Sequence, residues 1–349
     1  MLDTLLKYVS EEKGSDLHLK VGSRPIMRKN TKLFYIPETD IMLDEEMDKV
    51  LDHLLTDHGR QQLHEKFSFD LSYEITEASR FRVNISRDSG SYLMVARVIP
   101  YKIPKMETLR VPPLLKKIVD MRDGIILVTG ATGNGKSTTV ASMLNYLNIN
   151  LNKRIYTLED PIEYKFTDEK SIVTQRELGK DIVSFDSALK YVLRQDPDII
   201  FVGEMRDRET IKAAIRAAET GHLVISTIHT RDTSQTIDRV IDMFPREEQG
   251  QVRVELAHLL QLIMSQQLLP SDKAKGMVLA HELLICTPAV SNLIREGKTH
   301  QLQSVLETGA KYGMKTFESS FEDLYRNGYI SQEELKKRVS AQAIYKEND

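Results

Sequence analysis

The chain has a single cysteine, Cys286, and no tryptophan among its 349 residues. One thiol cannot close an intramolecular disulfide, so a reducing compartment is expected. No segment approaches the run of about 18 apolar residues that a membrane-spanning helix needs. The first residues, Met1-Leu2-Asp3-Thr4, lack the basic-then-apolar layout of a secretory signal. No excess of positive charge is present either. The formal net charge is -3, which offers no strong basic field for non-specific nucleic-acid binding. With 10 Phe and 13 Tyr but no basic cluster around them, the chain also lacks the stacking path of a single-strand translocase. Internal repeats and low-complexity stretches are missing. What remains is a cytoplasmic protein that touches a membrane only through a partner, without a nucleic-acid ligand.

What is present is ordinary globular material, 41% hydrophobic and 28% charged, in a length that suits two domains. Leu2 to Val9 reads as a short amphipathic helix, and Asp16 to Val21 alternates as a half-buried strand does. Glu45 to His64 reads as one helix, with Met47, Val50, Leu51, Leu54 and Leu55 near one face. Phe67–Tyr73, Arg80–Ile85 and Tyr92–Ile99 are strand-like. Helices with an antiparallel sheet make a small α+β domain over 1–100. Pro100, Pro104, Pro112 and Pro113 punctuate a linker at 101–113. From 114 to 349 strands and helices alternate, which implies an α/β domain with a mostly parallel sheet. Its expected strands are 124–129, 154–158, 171–175, 198–203, 222–228 and 277–284. A helical tail follows from Pro288, and Ser331 with Glu334 suggests a capping box on its last helix.

The strongest signal is Gly130-Ala131-Thr132-Gly133-Asn134-Gly135-Lys136-Ser137, which fits GxxxxGK[ST] at every fixed position. The apolar run Gly124–Thr129 leads in and a helical stretch from Thr138 leads out, the order a phosphate loop requires. Gly130, Thr132, Gly133, Asn134, Gly135, Lys136, Ser137 and Thr138 are the expected nucleotide-binding residues. Backbone N–H groups and the helix N-terminus would face a polyphosphate, Lys136 would reach the β- and γ-phosphates, and Ser137 would hold Mg²⁺.

Downstream carboxylates give this loop a chemistry. Asp198–Gly203 is an apolar strand that delivers Glu204. Alone, such a glutamate is commonly a solvated strand end. Beside a phosphate loop it reads as the group that positions or deprotonates the attacking water, with a water-mediated link to Mg²⁺. Glu159, Asp160 and Glu163 crowd a second strand end, where three carboxylates repel unless a cation or arginine is near. They read either as organisers of Mg²⁺ or water, Glu159 and Glu163 foremost, or as an acidic loop turned by Pro161. His222 and His229 bracket a short strand without an evident third metal ligand. His229 could sense or stabilise phosphate charge, whereas His222 reads as a satisfied buried ring. Among the arginines, Arg82 and Arg97 belong to the first domain, and either could serve as an arginine finger from its own or a neighbouring chain.

Together, Gly130–Ser137, Glu159–Glu163, Gly203–Asp207 and Thr220–Thr230 resemble the Walker A, Asp box, Walker B and His box of the type II/IV secretion ATPases. The resemblance spans essentially the whole chain, and Pro288–Lys298 is similar to a C-terminal signature of pilus retraction ATPases, with Val290 and Ser291 in place of Ile and Arg. It implies a PAS-like first domain, a RecA-like second domain and a homohexameric, Mg-dependent motor ATPase for type IV pilus retraction. The implied partners are an inner-membrane pilus platform protein and a paralogous retraction ATPase. The implied place is the cytoplasmic face of the inner membrane. By the same resemblance Glu204 is the Walker B glutamate, Glu159 and Glu163 are general-base candidates, His229 is the His-box residue, and Arg82 and Arg97 reach the phosphates. Assembly ATPases of the superfamily often carry a four-cysteine zinc motif, which one cysteine cannot supply. An accessory retraction ATPase, an assembly or type II secretion ATPase, and a nucleotide-gated scaffold without turnover are the alternatives.

Overall fold

The structure is a computed structural model that describes all residues except 30–31, 77–78, 100–101, 272, 275 and 347–349. Pro100 and the first linker residue therefore lie outside the described residues. The chain divides into two compact units. One comprises Met1–Lys102 with Pro161–Lys165, the other Ile103–Asp160 with Phe166–Asp349.

In the first unit, helices α1 (Leu2–Glu11), α2 (Asp44–Leu54) and α3 (Asp57–Lys66) accompany strands β1 (Asp16–Lys20), β2 (Ile26–Lys29), β3 (Lys32–Tyr35), β4 (Ser68–Thr76), β5 (Ser79–Asp88) and β6 (Ser91–Ile99). The sheet is antiparallel throughout, in the order β3-β2-β1-β6-β5-β4. Period-two alternation decides its faces. Leu17 and Leu19, Phe81, Val83 and Ile85, and Met94 and Ala96 enter the core with Leu6, Met47 and Leu51 of the helices. The residues between them form a polar row, in which Arg28 pairs with Asp16, Asp16 with Arg97, and Arg97 with Arg82.

The single helix expected over 45–64 is two. Leu55 leaves α2 with extended dihedrals, and the Thr56 hydroxyl accepts from Gly59 N at 3.3 Å to cap α3. A threonine able to cap competes with helix continuation and here wins. The short β2–β3 hairpin was not anticipated, because its edge strand β3 is exposed along its whole length and shows no buried periodicity.

The second unit is built on β7 (Gly124–Thr129), β8 (Arg154–Glu159), β9 (Ile172–Glu177), β10 (Ile199–Val202), β11 (Leu223–Ile228), β12 (Leu260–Ser271) and β13 (Gly276–Ile285). Their order is β13-β12-β7-β11-β10-β8-β9, parallel at every pairing except β12 with β13. Helices cover both faces, so β7, β10 and β11 are buried at every position and read as continuous apolar runs. The helices are α4 (Leu115–Val119), α5 (Lys136–Asn150), α6 (Phe185–Val192), α7 (Arg208–Glu219), α8 (Thr233–Asp242), α9 (Arg246–Leu259), α10 (Pro288–Glu296), α11 (Leu302–Thr308), α12 (Phe317–Arg326) and α13 (Gln332–Lys346). Met106 and Val111, in the proline-punctuated stretch before α4, pack into the core around β7 and α5.

Strand β12 is the main element that sequence periodicity missed. It follows α9 without a loop, and the largely apolar stretch from Leu256 to Met264, interrupted by His258 and Gln261, suits a buried helix as well as a buried strand. Of the capping box on α13, half is present. Ser331 Oγ accepts from Glu334 N at 3.1 Å, while the Glu334 carboxylate pairs with Arg338 at 2.7 Å. Among the described residues no helix is long and apolar enough to cross a membrane.

The tail is anchored through α12. Phe317 and Phe321 are fully buried, with ring centroids 5.7 Å apart, against Leu269, Val278 and Ala280 of the β12–β13 ribbon. Phe317→Ala should cost about 3–5 kcal/mol in urea unfolding and speed amide exchange in α12. A loss below about 1 kcal/mol would contradict this packing.

Candidate nucleotide site

The carboxyl ends of the parallel strands gather the chemistry on one edge of the sheet, where ligands of open α/β sheets bind. The phosphate loop follows β7 and runs into α5, whose N-cap is Gly135 and whose first turn has no side-chain cap. Helices α6, α7, α8, α10 and α12 each start on a capping Ser, Thr or Asp. A helix start without a side-chain cap, as at α5, suits an anion. Gly130 is required by close approach: at φ 143° a Cβ would lie 2.6 Å from Gln266 O of β12. That strand also braces the loop through Leu268 N, which donates to Asn134 Oδ1 at 3.2 Å, and through Gln266 Nε2, 2.8 Å from Thr139 Oγ1.

Lys136 is buried at 8% exposure and folds back onto its own loop, donating to Gly130 O at 2.7 Å and Ala131 O at 3.1 Å. Its Nζ is 3.5 Å from His229 Nδ1. The other ring nitrogen, Nε2, is 3.3 Å from Glu204 Oε1. Glu204 stands just past β10 and pairs through Oε2 with Arg206 at 2.8 Å. The structure thus brings Lys136, His229 and Glu204 into one chain of contacts at the phosphate loop. Thr132 is exposed there, and Ser137 and Thr138 are half-buried at the start of α5.

Glu159, the last residue of β8, is buried and held by Thr157 Oγ1 at 2.6 Å and Gln175 Nε2 at 3.2 Å. These two partners were not anticipated. Thr157 lies two residues earlier on the same strand, a signal that was available, whereas Gln175 depends on the β8–β9 register. Glu163 falls in Pro161–Lys165, which groups with the first unit. Arg82 and Arg97 are directly opposite each other on β5 and β6. Arg97 Nε lies 2.9 Å from Asp16 Oδ1, and Arg82 Nε 3.9 Å from Asp70 Oδ1. Asp16 is held below the usual carboxylate range, its bonds to Ser15 and Arg97 outweighing the effect of burial. His222 closes the end of α7, with Nδ1 2.8 Å from Ala217 O and 3.1 Å from Thr220 Oγ1.

Beside the loop opens a cavity of 990 Å³. Asn134, Gly135 and Thr138 form its near end, and Arg110, His281 and Tyr329 lie along its walls. The Arg110 guanidinium stacks 3.8 Å from the Tyr329 ring centroid, and Lys273 Nζ stands 4.6 Å from it. Gln266 Oε1 and His281 Nδ1 are buried without a hydrogen-bond partner, and the two residues face each other across β12 and β13.

A family model described as type II/IV secretion system protein matches residues 105–292. The type IV pilus retraction ATPase PilT of Pseudomonas aeruginosa is 41% identical over 337 residues, 96% of this chain and 97% of that protein. The type IV pilus ATPase PilU of the same organism is 37% identical over 332 residues, 95% and 87% of the two chains. A crystal structure of the pilus retraction motor PilT with bound ADP has a TM-score of 0.88 at 41% identity, covering 95% of each chain.

The buried ring in the cavity wall makes stability depend on pH. Burial, reinforced by Lys315, pushes His281 from an ordinary 6.5 down to about 4. A depressed pKa means that the folded state holds the neutral ring. Its contribution is therefore complete above the unfolded value and is lost as pH falls through the folded one. Between pH 6.5 and pH 4 the protein should lose about 3 kcal/mol through this group. His281→Gln should flatten that part of the curve in urea unfolding across a pH series. An unchanged slope would contradict the assignment.

Proposed function

From its membership of the type II/IV secretion system protein family, to which the chain belongs, we propose that this protein is the hexameric motor ATPase that drives type IV pilus retraction. The observation that carries the reading is the site at the end of β7. There an uncapped helix N-terminus, the Lys136 amine and Glu204 with His229 converge on the space a triphosphate would fill. Similarity to PilT along nearly the full length of both chains supports the same reading, and PilU is somewhat less similar.

In this reading ATP binds with its phosphates in the loop Gly130–Thr138 and its adenosine in the cavity beside it. Lys136 exchanges its loop carbonyls for the β- and γ-phosphate oxygens. Mg²⁺, when bound, would be held by the Ser137 hydroxyl and, through water, by Glu204, and would neutralise phosphate charge. Glu204 orients and deprotonates the attacking water, His229 registers the departure of the Lys136 amine, and Glu159 with Glu163 supports the water and metal positions. Arg82 and Arg97, like charges on one face, suit an anion and would reach the phosphates from the first domain (1–100), which a linker at 101–113 joins to the ATPase domain (114–349). ATP contacts to both domains would favour a closed state, and loss of the γ-phosphate would release it. In a ring of six, each closure would displace a neighbour and move the inner-membrane platform protein docked on it. Attachment to the cytoplasmic face of the membrane would then run through that partner, with a paralogous retraction ATPase as a second associate.

Glu204→Gln should bind ATP and assemble as the wild type does, yet lose turnover, while Lys136→Ala should weaken nucleotide binding. Phosphate release and fluorescent-nucleotide titration measure the two effects, and Glu204→Gln cleaving ATP at the wild-type rate would overturn the assignment. In the source cell, loss of the gene should leave abundant pili without twitching. Loss of pili altogether would indicate an assembly ATPase instead.

A further inference from the structure

The residues after β10 are each fixed for a different reason. A Cβ on Gly203 would stand 3.1 Å from Leu158 O and 3.3 Å from Glu159 Cα, so a glycine lets the tips of β10 and β8 pass closely. Gly203 N donates to Leu158 O at 2.7 Å, and Gly203 O accepts from Thr227 Oγ1 at 2.6 Å. Met205 is buried in the core, and its N–H donates to Thr227 O at 3.1 Å. Asp207 caps α7 by accepting from Thr210 N at 2.8 Å. The backbone is therefore pinned at 203, 205 and 207, and the side chains between these anchors, Glu204 and Arg206, meet each other.

Arg206 Nη2 lies 2.8 Å from Glu204 Oε2 in an ion pair, while Nη1 stands 4.0 Å from Asp160 Oδ2 past the end of β8. Its side chain is 64% exposed, so the pairs add little to folding stability. Their consequence is geometric. Two acidic strand tips face one planar cation, which offsets their repulsion and fixes the angle of the Glu204 carboxylate. The other carboxylate oxygen is left toward His229 and the phosphate loop. The guanidinium is held firmly in its charged form, chiefly by the hydrogen bond to Glu204.

We propose that Arg206 is a positioning residue for hydrolysis, a bridge between Glu204 and Asp160 that aims the Glu204 carboxylate at the attacking water. The proposal rests on the reading of Glu204 as the group that acts on that water. Lysine, a point charge without the fork, can satisfy one carboxylate but not span two.

The test is steady-state and single-turnover ATP hydrolysis, with nucleotide titration, on the full chain carrying Arg206→Ala or Arg206→Lys, each in the wild-type and Glu204→Gln backgrounds. Arg206→Ala should lower kcat by about tenfold or more while KM and nucleotide affinity stay within about twofold. Arg206→Lys should recover part of the lost kcat. In the residual single-turnover rate of the Glu204→Gln background Arg206→Ala should add no further loss, because its partner charge is already gone. A kcat for Arg206→Ala within about twofold of wild type would overturn the proposal. So would an equal further loss on top of Glu204→Gln, which would place the role of Arg206 outside Glu204. If thermal melting shows that Arg206→Ala does not fold, Arg206→Gln takes its place with the same expectations. Glu204→Gln alone hydrolysing at the wild-type rate would instead remove the reading on which the proposal stands, and the proposal with it.

Discussion

Parallel pairing around β7 is the constraint on which the site depends. With β12 on one side and β11, β10 and β8 following on the other, every one of these strands ends at the same edge. The phosphate loop, His229, Glu204 and Glu159 arrive there from segments separated by up to about a hundred residues in sequence, each as the continuation of a buried strand. Apolar burial fixes the register, and the register fixes the chemistry. A slip of one residue at β10 would move Glu204 away from both His229 and Arg206.

A chain of polar and charged groups crosses the site. Lys136, His229, Glu204, Arg206 and Asp160 follow one another with contacts of 3.5, 3.3, 2.8 and 4.0 Å. The lysine amine donates to carbonyl oxygens of its own loop, and a phosphate would outcompete them because its oxygens carry full negative charge. In the proposed reading a ligand at the loop would act on His229 and Glu204 through the amine it draws away. Across β7 from the strands that deliver Glu204 and His229, β12 braces the loop and, with β13, helps to wall the neighbouring cavity.

How legible the molecule is in its sequence follows from the range of the interactions. The phosphate loop and the strand before it are local patterns, and Gly130–Ser137 carries its own signature. Strands β7, β10 and β11 are continuous apolar runs, and Glu204 and His229 stand just past two such runs, so both were visible. Strand β12 was hidden because an apolar run joined to a helix has no periodicity that decides between the two. The break between α2 and α3 turned on one threonine hydroxyl competing with helix continuation. The hold of Gln175 on Glu159 and of Arg206 on Asp160 joins residues brought together by tertiary packing, which no local pattern encodes. Resemblance to known ATPases assigned roles to Glu159, Glu163, Arg82 and Arg97 that spacing alone left open.

Phosphate release by the purified protein from Mg·ATP tests the central claim most directly. The account predicts continuous turnover that stops when Mg²⁺ is chelated. Mg·ATP left uncut over hours by folded protein would contradict it.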